Sequence, residues 1–216
     1  KWADAITVPS KEMYEEYTKN GYHVSHVPNA IDISSFPKDK DKRYEKQLIY
    51  AGRLSEEKGI LDLLNVTEKL SKDIDLIIVG SGPEESKVQE IAKKFSNIHF
   101  LGYQSKENTI KLIRGSDILI QPSIMEGGTS STLLEAMACK TPIIATSVGG
   151  NKETIIHMKT AYVVTPNQPS QIFDAINDLL KSPDKADLLS KNAYELVLNY
   201  DWKNIGKKYL EVYIGN

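Results

Sequence analysis

A doubly wound α/β fold is what this sequence predicts, and three observations lead to it. Strand-like and helix-like segments alternate along the chain, the order that gives a parallel sheet wrapped by helices. The strand-like runs are short, continuous and rich in Ile and Val, as strands covered on both faces require. A length of 216 residues with 40% hydrophobic content suffices for one sizeable core, or one full domain plus a piece of another. The expected sheet is Rossmann-like, with about six parallel strands.

The elements follow in order. A first strand is expected at Ala5–Val8 and a first helix over Glu12–Gly21, closed by Asn20-Gly21 because Gly accepts a left-handed cap. Pro37–Lys46 holds the run Lys-Asp-Lys-Asp-Lys-Arg, most simply a solvated loop. A domain boundary is expected between Pro28 and Lys46. Strands then follow at Leu48–Ala51, Leu76–Val79, Ile98–Leu101, Ile118–Gln121, Ile143–Ala145 and Tyr162–Val164, which completes a doubly wound domain. Between them, Ile60, Leu63, Leu64, Thr67 and Leu70 share one helical face. Ser81-Gly82-Pro83-Glu84 reads as a helix start, with a capping Ser, an early Pro and Glu at the third position. Helices over Pro169–Lys181, Asp184–Tyr200 and Trp202–Tyr213 end the chain.

Composition excludes several classes. Net charge is -2 and the two signs are mixed along the chain, so no nucleic-acid footprint is present. A single cysteine, Cys139, rules out an internal disulfide framework and fits a reducing compartment. No apolar run approaches the ~20 residues of a membrane span. The four histidines lack ligand-like spacing, so no metal site is expected. The chain opens at Lys1-Trp2-Ala3-Asp4 without Met or signal peptide, and is read as a domain of a longer protein.

Chemistry concentrates in the loops after the strands. After Leu48–Ala51 comes Gly52-Arg53-Leu54-Ser55-Glu56-Glu57-Lys58-Gly59. Arg53 can grip phosphate oxygens bidentately, and Lys58 adds a compact point charge. Together they suit a diphosphate of charge about -2. The plain alternative is a solvated loop whose charges pair with Glu56 and Glu57. After Ile118–Gln121 comes Pro122-Ser123-Ile124-Met125-Glu126-Gly127-Gly128, then a helix carrying Leu133-Leu134-Glu135-Ala136-Met137-Ala138. At about 100° per residue, Ser131, Thr132 and Glu135 share one arc, opposite Leu133, Leu134 and Met137. Glu135 is thus expected on a polar face beside the helix start, where it can accept hydrogen bonds from a vicinal diol. It can also merely complement the helix dipole. Gly127-Gly128 lets backbone approach a ligand beside Glu126. Ser147-Val148-Gly149-Gly150 and Gly80-Ser81-Gly82-Pro83 are weaker signals, each readable as a turn. Tyr103, after Ile98–Leu101, can cover a nucleobase or simply pack.

In this order the motifs resemble the C-terminal, donor-binding domain of family-4 retaining glycosyltransferases of GT-B fold, the glycosyl transferases group 1 family. The resemblance runs over nearly the whole chain. It rests on Val27-Pro28-Asn29-Ala30-Ile31-Asp32, Gly52-Arg53 with Lys58-Gly59, Ile78–Pro83, Phe100-Leu101-Gly102, Pro122–Ala138, Thr141–Thr146 and Val148–Glu153. It implies a nucleotide-sugar partner and no bound cofactor or metal. Arg53 and Lys58 match the pair that holds the donor diphosphate and stabilises the leaving group. Glu135 matches the second glutamate of the family's Glu-x7-Glu motif, which binds ribose hydroxyls, and Glu126 the first, which contacts the transferred sugar. Backbone at Gly127, Gly128, Thr129 and Ser130 then touches that sugar, Gly52 the diphosphate, and backbone near Tyr103 the base.

Three departures stand out. Eight residues rather than seven separate Glu126 from Glu135, Lys140 replaces a Gly after Ala-Met-Ala-Cys, and Ala30 replaces the Gly of the hinge. By the resemblance, residues 1–28 are the tail of an N-terminal acceptor domain, 29–46 a hinge and charged loop, 47–200 the donor domain and 201–216 a helix crossing back. The rest of the N-terminal domain is a second expected partner, and the C-terminal helix offers a face for homo-association. The fragment alone is expected not to transfer sugar, and to be cytoplasmic or peripheral at a membrane. A nucleotide-sugar epimerase and a non-catalytic binding module remain the alternatives. Isomerisation without acceptor would mark the first, and absence of donor hydrolysis or transfer the second.

Overall fold

The computed structural model describes residues 3–215; Lys1, Trp2 and Asn216, and what the sequence implies for them, lie outside the described residues. The main sheet has six parallel strands: β3 (Gln47–Ala51), β4 (Asp75–Val79), β5 (Ile98–Gly102), β6 (Ile118–Gln121), β7 (Ile143–Thr146) and β8 (Tyr162–Val164). Their order is β5-β4-β3-β6-β7-β8. The chain winds outward from β3 to β5, then returns to the other side of β3. That reversal puts a crevice between the carboxyl ends of β3 and β6, the place where open α/β sheets take ligands.

Strand alternation explains the two layers around the sheet. Leu48, Tyr50, Leu76, Ile78, Ile118 and Ile120 point to one face, where α2 (Ile60–Thr67), α3 (Glu85–Lys94) and α6 (Pro169–Lys181) pack. Ile49, Ala51, Ile77, Val79 and Leu119 point to the other, under α4 (Lys106–Gly115), α5 (Ser131–Cys139) and α7 (Pro183–Val197). Because crossovers between parallel strands are right-handed, reversing direction along the sheet moves the helices to the opposite face.

Several boundaries differ from the sequence reading. The first strand contracts to β1 (Thr7–Val8), and it pairs in parallel with β2 (Ser25–His26), which no apolar run announces. Here α1 (Lys11–Lys19) starts at Ser10, whose Oγ accepts from Met13 N, and ends at Gly21 with φ +84°. The second helix stops at Thr67, not Leu70, and the last turn before Asp201 is a 3-10 turn at Leu198–Tyr200. Ser81 is not a cap. Leu54 N–H donates to its carbonyl at 2.9 Å and Glu84 N–H donates to the Leu54 carbonyl at 2.9 Å, so the helix begins only after this cross-loop turn. The charged loop is on the surface but is pinned from beneath. Buried Gln47 accepts from Arg43 N at 2.8 Å and donates to the Asp41 carbonyl at 3.1 Å.

Lys140 does take the left-handed cap of α5, with φ 57°, and its ammonium lies 4.5 Å from the Tyr194 ring centroid. That cation–π contact offsets part of the strain of a side chain in this region. Finally, the segment around Ile31 meets the start of α8 (Trp202–Ile214): Ile31 N donates to the Tyr200 carbonyl at 3.0 Å, and Trp202 N to the Ile31 carbonyl at 2.9 Å.

Candidate functional site

A cleft of about 650 Å³ opens at the carboxyl ends of β3, β4 and β5. Its walls are Gly52 and Arg53 after β3, Gly80–Pro83 after β4, Tyr103 and Gln104 after β5, Thr109 of α4 and Thr132 of α5. The floor is nonpolar, from Ala51 and Val79. Tyr103 does not pack: its ring is 78% exposed on the lip.

The loop after β3 is fixed by its own strand. Tyr50 Oη donates to the Arg53 carbonyl at 2.8 Å, and burial, with the Glu126 charge nearby, pushes that hydroxyl far above its ordinary value. It therefore stays a donor. The Arg53 guanidinium is 64% exposed and only 3.8 Å from Glu57 Oε1, a loose pair that leaves it able to meet an anion. Lys58 behaves differently. Its Nζ lies 2.7 Å from Glu126 Oε2, so its partner is across the crevice and is neither Glu56 nor Glu57.

The loops that flank the crevice approach each other closely along their backbones. A Cβ on Gly59, at φ +70°, would lie 1.9 Å from the Pro122 carbonyl oxygen. Ile124 N donates to the Glu57 carbonyl at 2.8 Å. The weak Gly149-Gly150 signal finds its reason here. A Cβ on Gly149, at φ +49°, would lie 1.6 Å from the Glu126 carbonyl oxygen, and one on Gly150 would collide with Gly128.

Glu126, Gly127, Gly128, Thr129 and Ser130 form one tight loop before α5, and none of them lines the cleft. Thr129 is buried; its Oγ1 donates to the Gly150 carbonyl at 2.8 Å and its carbonyl accepts from Asn29 Nδ2 at 2.8 Å. Ser130 N donates to Asn151 Oδ1 at 3.0 Å, and its Oγ accepts from Gln121 Nε2 at 2.8 Å. Ser123 Oγ donates to Glu126 Oε1 at 2.8 Å, so Gln121, Ser123 and Asn151 together shape the loop, yet no spacing in the sequence singles them out.

Glu135 corrects the expectation of an open polar face. It is only 9% exposed, although Ser131 and Thr132 earlier on the same arc are exposed and half-buried. Among the described residues its carboxylate accepts no hydrogen bond. Burial raises its carboxyl pKa above the ordinary value, and the Lys106 charge on α4 partly opposes that. Thr132, one turn earlier, reaches the cleft wall. Cys139 is buried, and burial pushes its thiol up to about 11, which suits packing rather than reactivity. Among the described residues no group of three or more His, Cys, Asp or Glu is placed to hold a metal ion.

Comparison with known proteins gives this geometry a family. An uncharacterised glycosyltransferase of Methanocaldococcus jannaschii is 30% identical over 200 residues, covering 89% of this chain and 51% of that protein. N-acetyl-alpha-D-glucosaminyl L-malate synthase of Bacillus anthracis is 30% identical over 212 residues, covering 90% of this chain and 55% of that protein. This chain therefore spans about half the length of the relatives it matches. The Anabaena protein HepE, solved with UDP-glucose, superposes with a TM-score of 0.87 at 18% identity, over 100% of this chain and 65% of that one. The six-stranded sheet and its helices match the GT-B glycosyltransferase fold. The family described as glycosyl transferases group 1 matches residues 32–196, which hold the cleft and both glutamates, and the chain belongs to it.

Proposed function

We propose that this chain binds a nucleoside-diphosphate sugar and positions it for retaining glycosyl transfer to an acceptor held by the rest of a longer polypeptide. The observation that carries the reading is Glu135, a mostly buried residue whose carboxylate takes no hydrogen bond from the described residues, one turn from the cleft wall. Such a group lowers its free energy by accepting two hydrogen bonds from a vicinal diol, as a ribose offers. The other roles follow from position. The base lies against Tyr103 and Gln104. The diphosphate meets Arg53, Lys58 and the N-terminus of α5, whose dipole favours anions. The sugar meets Glu126 and the backbone of Gly127, Gly128 and Ser130.

The chemical step needs charge stabilisation. As the bond from sugar to diphosphate breaks, negative charge grows on the leaving group and the sugar becomes oxocarbenium-like. Arg53 and Lys58 supply positive charge where it is needed, without a metal ion. HepE, of the same fold, was solved with UDP-glucose, which supports the ligand class. The half-length match supports placing the acceptor groups, and transfer itself, on residues beyond this chain.

Titration calorimetry against UDP, GDP and ADP tests the reading: at least one binds. No binding by any of the three to folded protein sinks it. Arg53→Ala weakens the bound diphosphate by about 1.5–3 kcal/mol, the range for hydrogen bonds to charged groups. Unchanged affinity contradicts the role given to Arg53.

A further inference from the structure

The peptide unit between Arg53 and Leu54 is held at both ends. Its N–H, on Leu54, donates to the Ser81 carbonyl at 2.9 Å. Its carbonyl, on Arg53, accepts from Tyr50 Oη at 2.8 Å and from Ser55 N at 3.1 Å. These partners are not equivalent. Ser55 belongs to the same loop and travels with it, and Ser81 lies on the loop after β4. Tyr50 is rooted in the sheet: it lies within β3 opposite Ile78 of β4, is 1% exposed, and belongs to the core cluster of Leu54, Ile78 and Ile120. The Arg53 side chain itself has little to hold it, since it is mostly exposed and its pair with Glu57 is loose. Gly52, just before it, has no Cβ to restrict rotation. The direction in which Arg53 leaves the loop is therefore set by the peptide plane beneath it.

We infer that Tyr50 is a positioning residue: its hydroxyl fixes the Arg53 carbonyl and so aims Arg53 at the cleft before any anion arrives. The inference rests on the donor-binding reading above. Tyr50 does not line the cleft, so it acts through Arg53 and not by touching a ligand. What it supplies is preorganisation. An anion that meets a loop already in its bound form loses no affinity to ordering that loop. Without the hydroxyl, the Arg53 carbonyl keeps only Ser55, which moves with it, and the peptide turns in search of another donor. Arg53 then approaches phosphate from a spread of directions, and bidentate contact, which depends on angle, suffers first. A competing route runs from Tyr50 to Glu126, whose charge lies nearby, and on to Lys58. The experiment separates the two.

A double-mutant cycle decides this, read by titration with UDP, or with GDP or ADP if that is the nucleotide bound. Tyr50→Phe removes one oxygen and keeps the ring. With Arg53 present it weakens UDP about three- to tenfold, the range for one neutral hydrogen bond. In the Arg53→Ala background, read by NMR titration because binding is weaker, the same change costs less than about twofold, since the group that Tyr50 aims is gone. A para-aminophenylalanine in place of Tyr50 restores a donor and brings most of the affinity back. Unchanged affinity in Tyr50→Phe overturns the inference. So does an equal loss in both backgrounds, the mark of a merely structural role or of the route through Glu126 and Lys58. A Tyr50→Phe protein that does not fold overturns it too, because the hydroxyl then holds the fold and not the aim of Arg53. If wild type binds none of the three nucleotides, the donor-binding reading falls and this inference with it. If wild type binds and the cycle shows no coupling, this inference alone falls.

Discussion

Burial of Glu135 raises its carboxyl pKa in the folded state above the ordinary value of 4.5, against the pull of Lys106. A group raised on folding adds stability that is fully present below its unfolded pKa and is lost as pH climbs through the folded one. Near pH 7 the ionised group is therefore a burden on the fold. Glu135→Gln raises the melting temperature at pH 7 by a few degrees, the shift expected for about 1 kcal/mol in a domain of this size. At pH 4 the gain disappears, and scanning calorimetry at both values checks it. The same variant weakens nucleotide binding if the carboxylate holds the ribose. In wild type, affinity falls with acidification at a higher pH than an ordinary carboxylate would set. At this scale the sequence was half legible. The helical arc of Ser131, Thr132 and Glu135 names the residues that share a face, but not that α4 and Lys106 lie near that face. The roles of Asn151 and Gln121 at Ser130 were not legible, because each meets Ser130 only after the chain has folded back on itself.

Between the elements, two glycine-rich loops make opposite predictions. Gly149→Ala forces a side chain into the Glu126 carbonyl at a positive φ, and destabilises by about 2–4 kcal/mol in urea unfolding, from strain and overpacking together. Gly127→Ala meets nothing closer than Met13 Sδ at 3.9 Å, and shifts stability by less than about 0.5 kcal/mol. If the two variants unfold alike, the close packing described here is wrong. The sequence reads the Gly127 pair as a place where backbone can approach a ligand, and the Gly149 pair as a weaker, turn-like signal. Hydrophobic periodicity found the six strands because parallel strands are buried on both faces and read as unbroken apolar runs. It missed β2, whose Ser25 and His26 pair only because β1 lies alongside. Local pattern also misplaced the start of α3, since a bond to a neighbouring loop outweighed the capping signal of Ser81.

At the scale of the whole molecule, several exposed apolar side chains among the described residues gather on α8. Trp202, Leu210, Tyr213 and Ile214 stand out from it, with Tyr213 92% exposed. In this chain alone we expect that stripe to associate with a second copy, seen as concentration-dependent sedimentation. Leu210→Lys with Tyr213→Lys weakens that association more than about tenfold and leaves nucleotide affinity unchanged. Sedimentation that ignores the double change would clear α8 of the role. The fold was legible because its logic is repeated strand by strand, while the site depends on loops from distant parts of the chain. The turn Gly149–Glu153 touches Glu126 at one end, and at the other Glu153 Oε1 accepts the Lys11 amide at 2.8 Å, at the start of α1. The Glu126 loop and the amino-terminal helix therefore lean on the same short turn from opposite sides. Thermodynamic linkage is reciprocal: whatever occupancy beside Glu126 does to the seating of α1, a change in the seating of α1 returns in equal measure as affinity.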